Sequence, residues 1–114
     1  MISRKHRFHG HGSLRFVYEH GKTVRGPMSS LKFAPNSRRD SYRLAVVVSK
    51  KVNKSAVTRN RIRRRLYEAV RLHGSAITAP FDMVLTVFDA RMAEIPADEL
   101  QKIVANQLKQ AKII

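Results

Sequence analysis

Twenty-two consecutive residues, Lys50-Lys51-Val52-Asn53-Lys54-Ser55-Ala56-Val57-Thr58-Arg59-Asn60-Arg61-Ile62-Arg63-Arg64-Arg65-Leu66-Tyr67-Glu68-Ala69-Val70-Arg71, hold nine of the chain's 23 Lys and Arg and a single acid, Glu68. The chemistry open to them is anion binding. Arg63, Arg64 and Arg71 offer planar forks that match phosphate and stack on bases. Asn60 adds a neutral donor and acceptor for a ribose or a base edge. Lys50, Lys51 and Lys54 stand just before a helix start, where the macrodipole makes cations mildly unfavourable. A docked phosphate would explain them, accepting from the free helix amides and the lysines together. A merely solvated face usually mixes charges in i,i+4 pairs, and here Glu68 alone opposes the arginines.

Residues suited to bond cleavage are few. The chain has eight Asp and Glu, five His and no Cys. Metal-assisted hydrolysis gathers carboxylates, and acid–base hydrolysis positions a His pair. Here Asp40 falls in a loop, Asp82 and Asp89 at strand ends, and Asp98 and Glu99 at a helix start. His20 and His73 flank helix ends. No glycine-rich phosphate loop, Ser nucleophile motif or HExxH occurs. His6, His9 and His11 lie close enough to suggest metal ligation. With no carboxylate or thiol beside them they read as solvated. No catalytic residue, metal or protein-bound cofactor is expected.

The net charge of +15 is uneven: almost all the excess lies before residue 76. Such self-repulsion calls for a polyanionic partner, nucleic acid before membrane. A membrane helix needs bulky apolar residues facing lipid, and here the apolar stripe is needed for a core. The 114 residues predict one domain, 1–114, with 1–12 as a mobile basic arm. Absence of Cys excludes disulfides and Cys-ligated zinc. No apolar run is long enough for a span, and no apolar stretch follows the basic first residues as in a signal peptide. A cytoplasmic location is expected.

The elements that must carry these residues follow from periodicity. At 100° per residue, Ile62, Leu66, Ala69 and Val70 share an arc about 100° wide, opposite Asn60, Arg63, Arg64, Tyr67 and Arg71. Arg59 lies nearer the apolar arc and has to snorkel. The helix runs from about Ala56 to His73-Gly74, with Gly74 as its stop. Ser13 caps a helix to His20 that carries Leu14, Val17 and Tyr18 on one side and ends at Gly21. Thr23 to Arg25 and Met28 to Ala34 read as strands, the second with Leu31 and Phe33 on one face and Lys32 on the other. Tyr42 to Ser49 and Phe81 to Phe88 contain continuous apolar runs, as in strands buried on both faces. Glu94 to Glu99 opens a last helix with Leu100, Ile103, Val104, Leu108 and Ala111 as its apolar face. The result is a single α+β domain, order αβββαβα.

At Lys50-Lys51 and Ala56-Val57-Thr58-Arg59-Asn60-Arg61-Ile62-Arg63-Arg64 the chain resembles the protein subunit of bacterial ribonuclease P. The Arg59-Asn60-Arg61 triplet sits where that family has Arg-Asn-Arg, after an apolar strand ending in Ser-Lys-Lys. Arg7-Phe8, His20-Gly21 and Asp82-Met83-Val84 extend the likeness over roughly residues 7–110, and it is sharpest over 48–71. The family usually has a glycine two residues after the lysine pair, then reaches Ala-Val one residue sooner. This chain has Asn53-Lys54-Ser55 instead, where Asn53 tolerates left-handed geometry.

The resemblance implies an α/β sandwich like the second domain of ribosomal protein S5, with a left-handed βαβ crossover against the usual rule. It implies an accessory subunit of an RNA enzyme that removes the 5′ leader of precursor tRNA, with Mg²⁺ held by the catalytic RNA. It assigns Lys50, Lys51, Lys54, Arg59, Asn60, Arg61, Arg63, Arg64 and Arg71 to the catalytic RNA. It assigns Tyr18, Lys32 and Phe33, with Leu14 and Ser49, to a cleft for the single-stranded leader. Another basic ribonucleoprotein subunit, such as a ribosomal protein, would explain the charge without the motifs. An autonomous ribonuclease would have to use the arm histidines. The strand-rich flanks disfavour a helix-turn-helix DNA binder.

Overall fold

A computed structural model of the chain describes His6, Arg7 and residues 11–114, the side chains of 11–13 excepted. In order come α1 (His11–His20), β1 (Lys22–Arg25), β2 (Ser29–Pro35), β3 (Arg43–Val48), α2 (Ala56–Leu72), β4 (Phe81–Val87) and α3 (Ala97–Gln110). Two short 3₁₀ turns, Gly74–Ala76 and Ala90–Ala93, have no sequence signal strong enough to be anticipated. The strands form one sheet in the order β1-β2-β4-β3. β1 pairs with β2, and β2 with β4, antiparallel, whereas β3 and β4 run parallel and are joined through α2.

The parallel pair explains the continuous apolar runs, because both faces of β3 and β4 are covered. On one face Leu31, Leu44, Val46, Met83 and Leu85 meet Ile62, Leu66 and Val70 of α2 and Leu100, Val104 and Leu108 of α3 in the main core. On the other, Ala45 and Val84 receive Val17 of α1, with Leu14 and Val47 packed beside them. The arc read from α2 is the buried face: Ile62, Leu66 and Val70 are 0% exposed and Ala69 2%. α3 also buries Gln107, whose Nε2 donates to the Ser29 carbonyl at 2.9 Å and whose Oε1 accepts from Ser29 Oγ at 3.2 Å. That polar pair fastens α3 to the start of β2.

Two boundaries differ from expectation and a third agrees with it. α1 begins at His11, so Ser13 lies inside its first turn and is not its cap. α2 ends at His73, which continues into the first 3₁₀ turn, and Gly74 is not in the left-handed region. Gly21 does end α1, and the reason is close approach. A Cβ there would lie 2.4 Å from the Val17 carbonyl oxygen and 2.9 Å from that of Phe33, so only Gly lets the helix end sit on β2.

Candidate nucleic-acid interface

The loop from β3 into α2 is built by its own polar side chains. Asn53 Oδ1 accepts from the Ser55 N–H at 2.8 Å, and Ser55 Oγ accepts from the Thr58 N–H at 3.3 Å as the N-cap of α2. Asn53 is not left-handed; among the described non-glycine residues only Lys112 has positive φ. Asn53-Lys54-Ser55 thus replaces a glycine turn with an Asx turn and a helix cap. Arg59 closes the loop from inside, its Nη1 donating to the carbonyls of Asn53 (3.0 Å) and Lys54 (2.9 Å). Lys50, Lys51 and Lys54 stand exposed on this pinned loop.

The arginines of α2 divide into two groups. Arg61 Nε donates to the Ala93 carbonyl at 2.8 Å. Arg65, absent from the expected site, donates through Nη1 to the Met92 carbonyl at 2.7 Å and through Nη2 to the Ile95 carbonyl. These two hold the 90–95 turn against α2. Burial and the neighbouring Arg61 charge pull Arg65 below the usual guanidinium range. Arg59 and Arg61, which the resemblance assigns to the catalytic RNA, thus bond carbonyls of their own chain. The available signal was angular: Arg61 and Arg65 are an i,i+4 pair flanking the apolar arc.

Asn60, Arg63 and Arg64 remain outward. With Tyr67 and Arg7 they line a cavity of about 290 Å³. Arg63 donates to Asn60 Oδ1. The Arg7 guanidinium lies over the Tyr67 ring, 5.2 Å from its centroid, and Tyr67 accepts through its hydroxyl from the Val46 N–H at 3.3 Å. Arg7 also bridges Leu44 in parallel, and the stacked His6 ring contacts the Tyr42 carbonyl through Nδ1 at 2.9 Å. Two residues of the expected arm are therefore seated along the free edge of β3. Arg71 is held by Glu68, with Nε 3.1 and 3.0 Å from its two oxygens. The Arg71 guanidinium is the main cause that brings the Glu68 carboxyl down to about 2.

The second surface lies on the α1 side of the sheet. Register puts Lys32 beside Val84, and Val84 beside Ala45, on the face that carries α1. Lys32 Nζ sits 5.7 Å from the centroid of the Tyr18 ring, which is 43% exposed. Leu14 is half-buried at this cleft, and the exposed Ser49 continues the Ala45–Val47 strip to the lysine loop. Phe33 does not join them. It is 8% exposed, belongs to the α2/α3 core, and meets Phe81 edge-on at 6.1 Å. Adjacent strand residues point to opposite faces, so Lys32 and Phe33 cannot share one cleft.

Among the described residues no three His, Cys, Asp or Glu side chains converge as a metal site. His9 lies outside the described residues and the side chain of His11 is not described. No described helix is long and apolar enough to cross a membrane.

Comparison with known proteins places the chain in a family. The family model described as Ribonuclease P matches residues 2–112. The chain is 38% identical to the ribonuclease P protein component of Chloroflexus aurantiacus over 113 residues, covering 99% of this chain and 82% of the relative. It is 41% identical to that of Roseiflexus castenholzii over 98 residues, covering 86% and 79%. A solved structure of a Staphylococcus aureus RNase P protein, a mutant with defective mRNA degradation activity, superposes with a TM-score of 0.85 at 26% identity, covering 96% of this chain and 90% of that one. The chain belongs to the bacterial ribonuclease P protein family.

Proposed function

We propose that the protein works as the RNA-binding subunit of a ribonuclease P ribonucleoprotein and assists endonucleolytic removal of the 5′ leader from precursor tRNA. The observation that carries this reading is the cavity lined by Arg7, Asn60, Arg63, Arg64 and Tyr67, where every formal charge is positive. With the lysine loop it forms the docking surface for the catalytic RNA. Its arginines reach phosphates in pairs, and Tyr67 gives a ring edge. The partner RNA supplies the reaction centre and its Mg²⁺, while this chain supplies cations and position.

The Tyr18–Lys32 cleft takes the leader. An unpaired base can replace the Lys32 ammonium over the Tyr18 ring, freeing that ammonium for the adjoining phosphate. Ser49 leads from this cleft to Lys50. A leader in the cleft and a catalytic RNA on α2 would therefore meet at one corner of the protein. Reconstitution of precursor tRNA and Mg²⁺ with this protein, with and without a bacterial ribonuclease P RNA, tests the reading. Stimulated cleavage only when both macromolecules are present is expected. No stimulation overturns it, and cleavage by protein alone points to an autonomous nuclease.

A further inference from the structure

Across α1 from Tyr18 lies a concavity of about 640 Å³. That volume falls in the usual range for small-ligand sites. Phe16 stands at its helix side, 44% exposed, its ring tilted against His20 at 5.0 Å. Residues 16 and 18 are about 200° apart on a helix, so Phe16 and Tyr18 serve opposite flanks of α1. The floor is rigid. Arg43 grips Asp82 through Nε and Nη2, both at 2.8 Å, and Asn36 Nδ2 donates to the same carboxylate at 2.8 Å. The Asp82 charge is thus matched within the floor.

The rim is different. Asn36 is tied to the Pro80 carbonyl through its N–H at 2.7 Å and turns the chain by accepting from the backbone N–H groups of Arg38 and Arg39, both at 3.1 Å. Among the described residues neither of those two guanidinium groups has a partner. Both are exposed, and the Ser37 hydroxyl lies between them and the floor residues in sequence. Asp40, the nearest acid in the chain, lines a separate cavity beside His6 and Tyr42. One open aromatic face, two unmatched guanidinium forks and a hydroxyl match the parts of a nucleotide: a base to stack, phosphate to pair, a sugar to hydrogen-bond.

We propose that the Phe16–Arg38–Arg39 concavity is a third RNA site, separate from the Tyr18 cleft and from the α2 face, which binds an unpaired nucleotide and its flanking phosphates. An acidic peptide would use the arginines and leave Phe16 without a stacking partner. The chain has no Trp, so Phe16→Trp reports from this site alone. Titration of that variant with oligouridylate is expected to give saturable quenching. Adding Arg38→Ala and Arg39→Ala should weaken it by about tenfold or more and lower the log–log salt slope by roughly 1.4, two single-strand phosphate contacts. Tyr18→Ala in the same background should leave the quenching unchanged, whatever the fate of the leader reading.

Absence of quenching, or quenching indifferent to Arg38 and Arg39, overturns the site. Loss of quenching with Tyr18→Ala overturns its independence. Equal responses to oligouridylate and oligoglutamate overturn its assignment to RNA, and an equal response to inorganic phosphate overturns the stacked base.

Discussion

Arg65→Met and Arg64→Met form the most informative pair of substitutions, because the two neighbours have the same charge and opposite surroundings. Arg65 spans two carbonyls, that of the fully buried Met92 at 2.7 Å and that of Ile95. Hydrogen bonds from a charged donor contribute about 1.5–3 kcal/mol each. The side chain is only partly buried, and water can reach part of the vacated space. The loss for both bonds is therefore about 2–4 kcal/mol. Met keeps the packing of the stem, so the difference isolates the guanidinium. For a domain of this size the melting temperature should fall by roughly 10–20 °C. Arg64 is exposed and reaches no carbonyl among the described residues, so Arg64→Met should move it by no more than about 1–3 °C.

RNA binding should invert that order. Arg64→Met should reduce the log–log salt slope for the catalytic RNA by about 0.7–0.9, one phosphate contact. Arg65→Met, measured well below its melting temperature, should leave the slope unchanged. Thermal melts at high salt without RNA, followed by salt titrations with it, give both quantities from the same preparations. If Arg65→Met melts with the wild type, the carbonyl bonds do not hold the 90–95 turn. If Arg64→Met leaves the slope unchanged while Arg65→Met lowers it, the division of the helix is inverted.

Three further outcomes are expected. Tyr18→Ala with Lys32→Ala should reduce the preference for precursor over mature tRNA, whereas Phe33→Ala should instead cost about 3–5 kcal/mol of stability in a denaturant melt. Gly21→Ala places a Cβ within 3.0 Å of two backbone carbonyl oxygens, so it should destabilise the fold and disturb Tyr18 chemical shifts even where the chain still folds. Glu68 has its folded carboxyl brought below the ordinary 4.5 to about 2. Its contribution is present above about pH 4.5 and lost as pH falls through 2, so Glu68→Gln should flatten the pH dependence of stability in that window. By freeing Arg71 it should also steepen the salt slope for RNA by up to about 0.9.

Much of the fold was legible because periodicity reports burial directly. The α2 arc, the two continuous strand runs and Leu100, Val104 and Leu108 of the α3 stripe became core, since an apolar face has to be covered in a chain of this length. What escaped depends on long-range pairing. Gln107 reads as a surface residue until Ser29, 78 positions away, supplies its partner. The placement of Lys32 and Phe33 in one cleft failed for a local reason, the two-residue alternation of a strand. Which of the two faces α1 needed the sheet order. Phe16 gave no signal of its own, because an aromatic on a short helix is usually core; only its 44% exposure beside Arg38 and Arg39 distinguishes it.

The basic helix is the clearest case of charge read without partners. A run of arginines looks uniform in sequence, yet the helical angle assigns each a different task. Arg59 sits near the apolar arc and ties down the loop that presents the lysines. Arg61 and Arg65, four apart on the other flank, reach the carbonyls of the 90–95 turn. Arg63 and Arg64 are left outward, and among the described residues neither donates to a backbone carbonyl. Tyr67, between the two roles, hydrogen-bonds the Val46 N–H of the edge strand and carries Arg7 on its ring. The outward surface therefore depends on the edge of the sheet: a phosphate meeting Arg63, Arg64 and Arg7 meets groups fixed by β3 and the residues laid along it. Positive charge recruits an RNA at long range, but the carbonyl-bonded arginines set where the remaining ones stand.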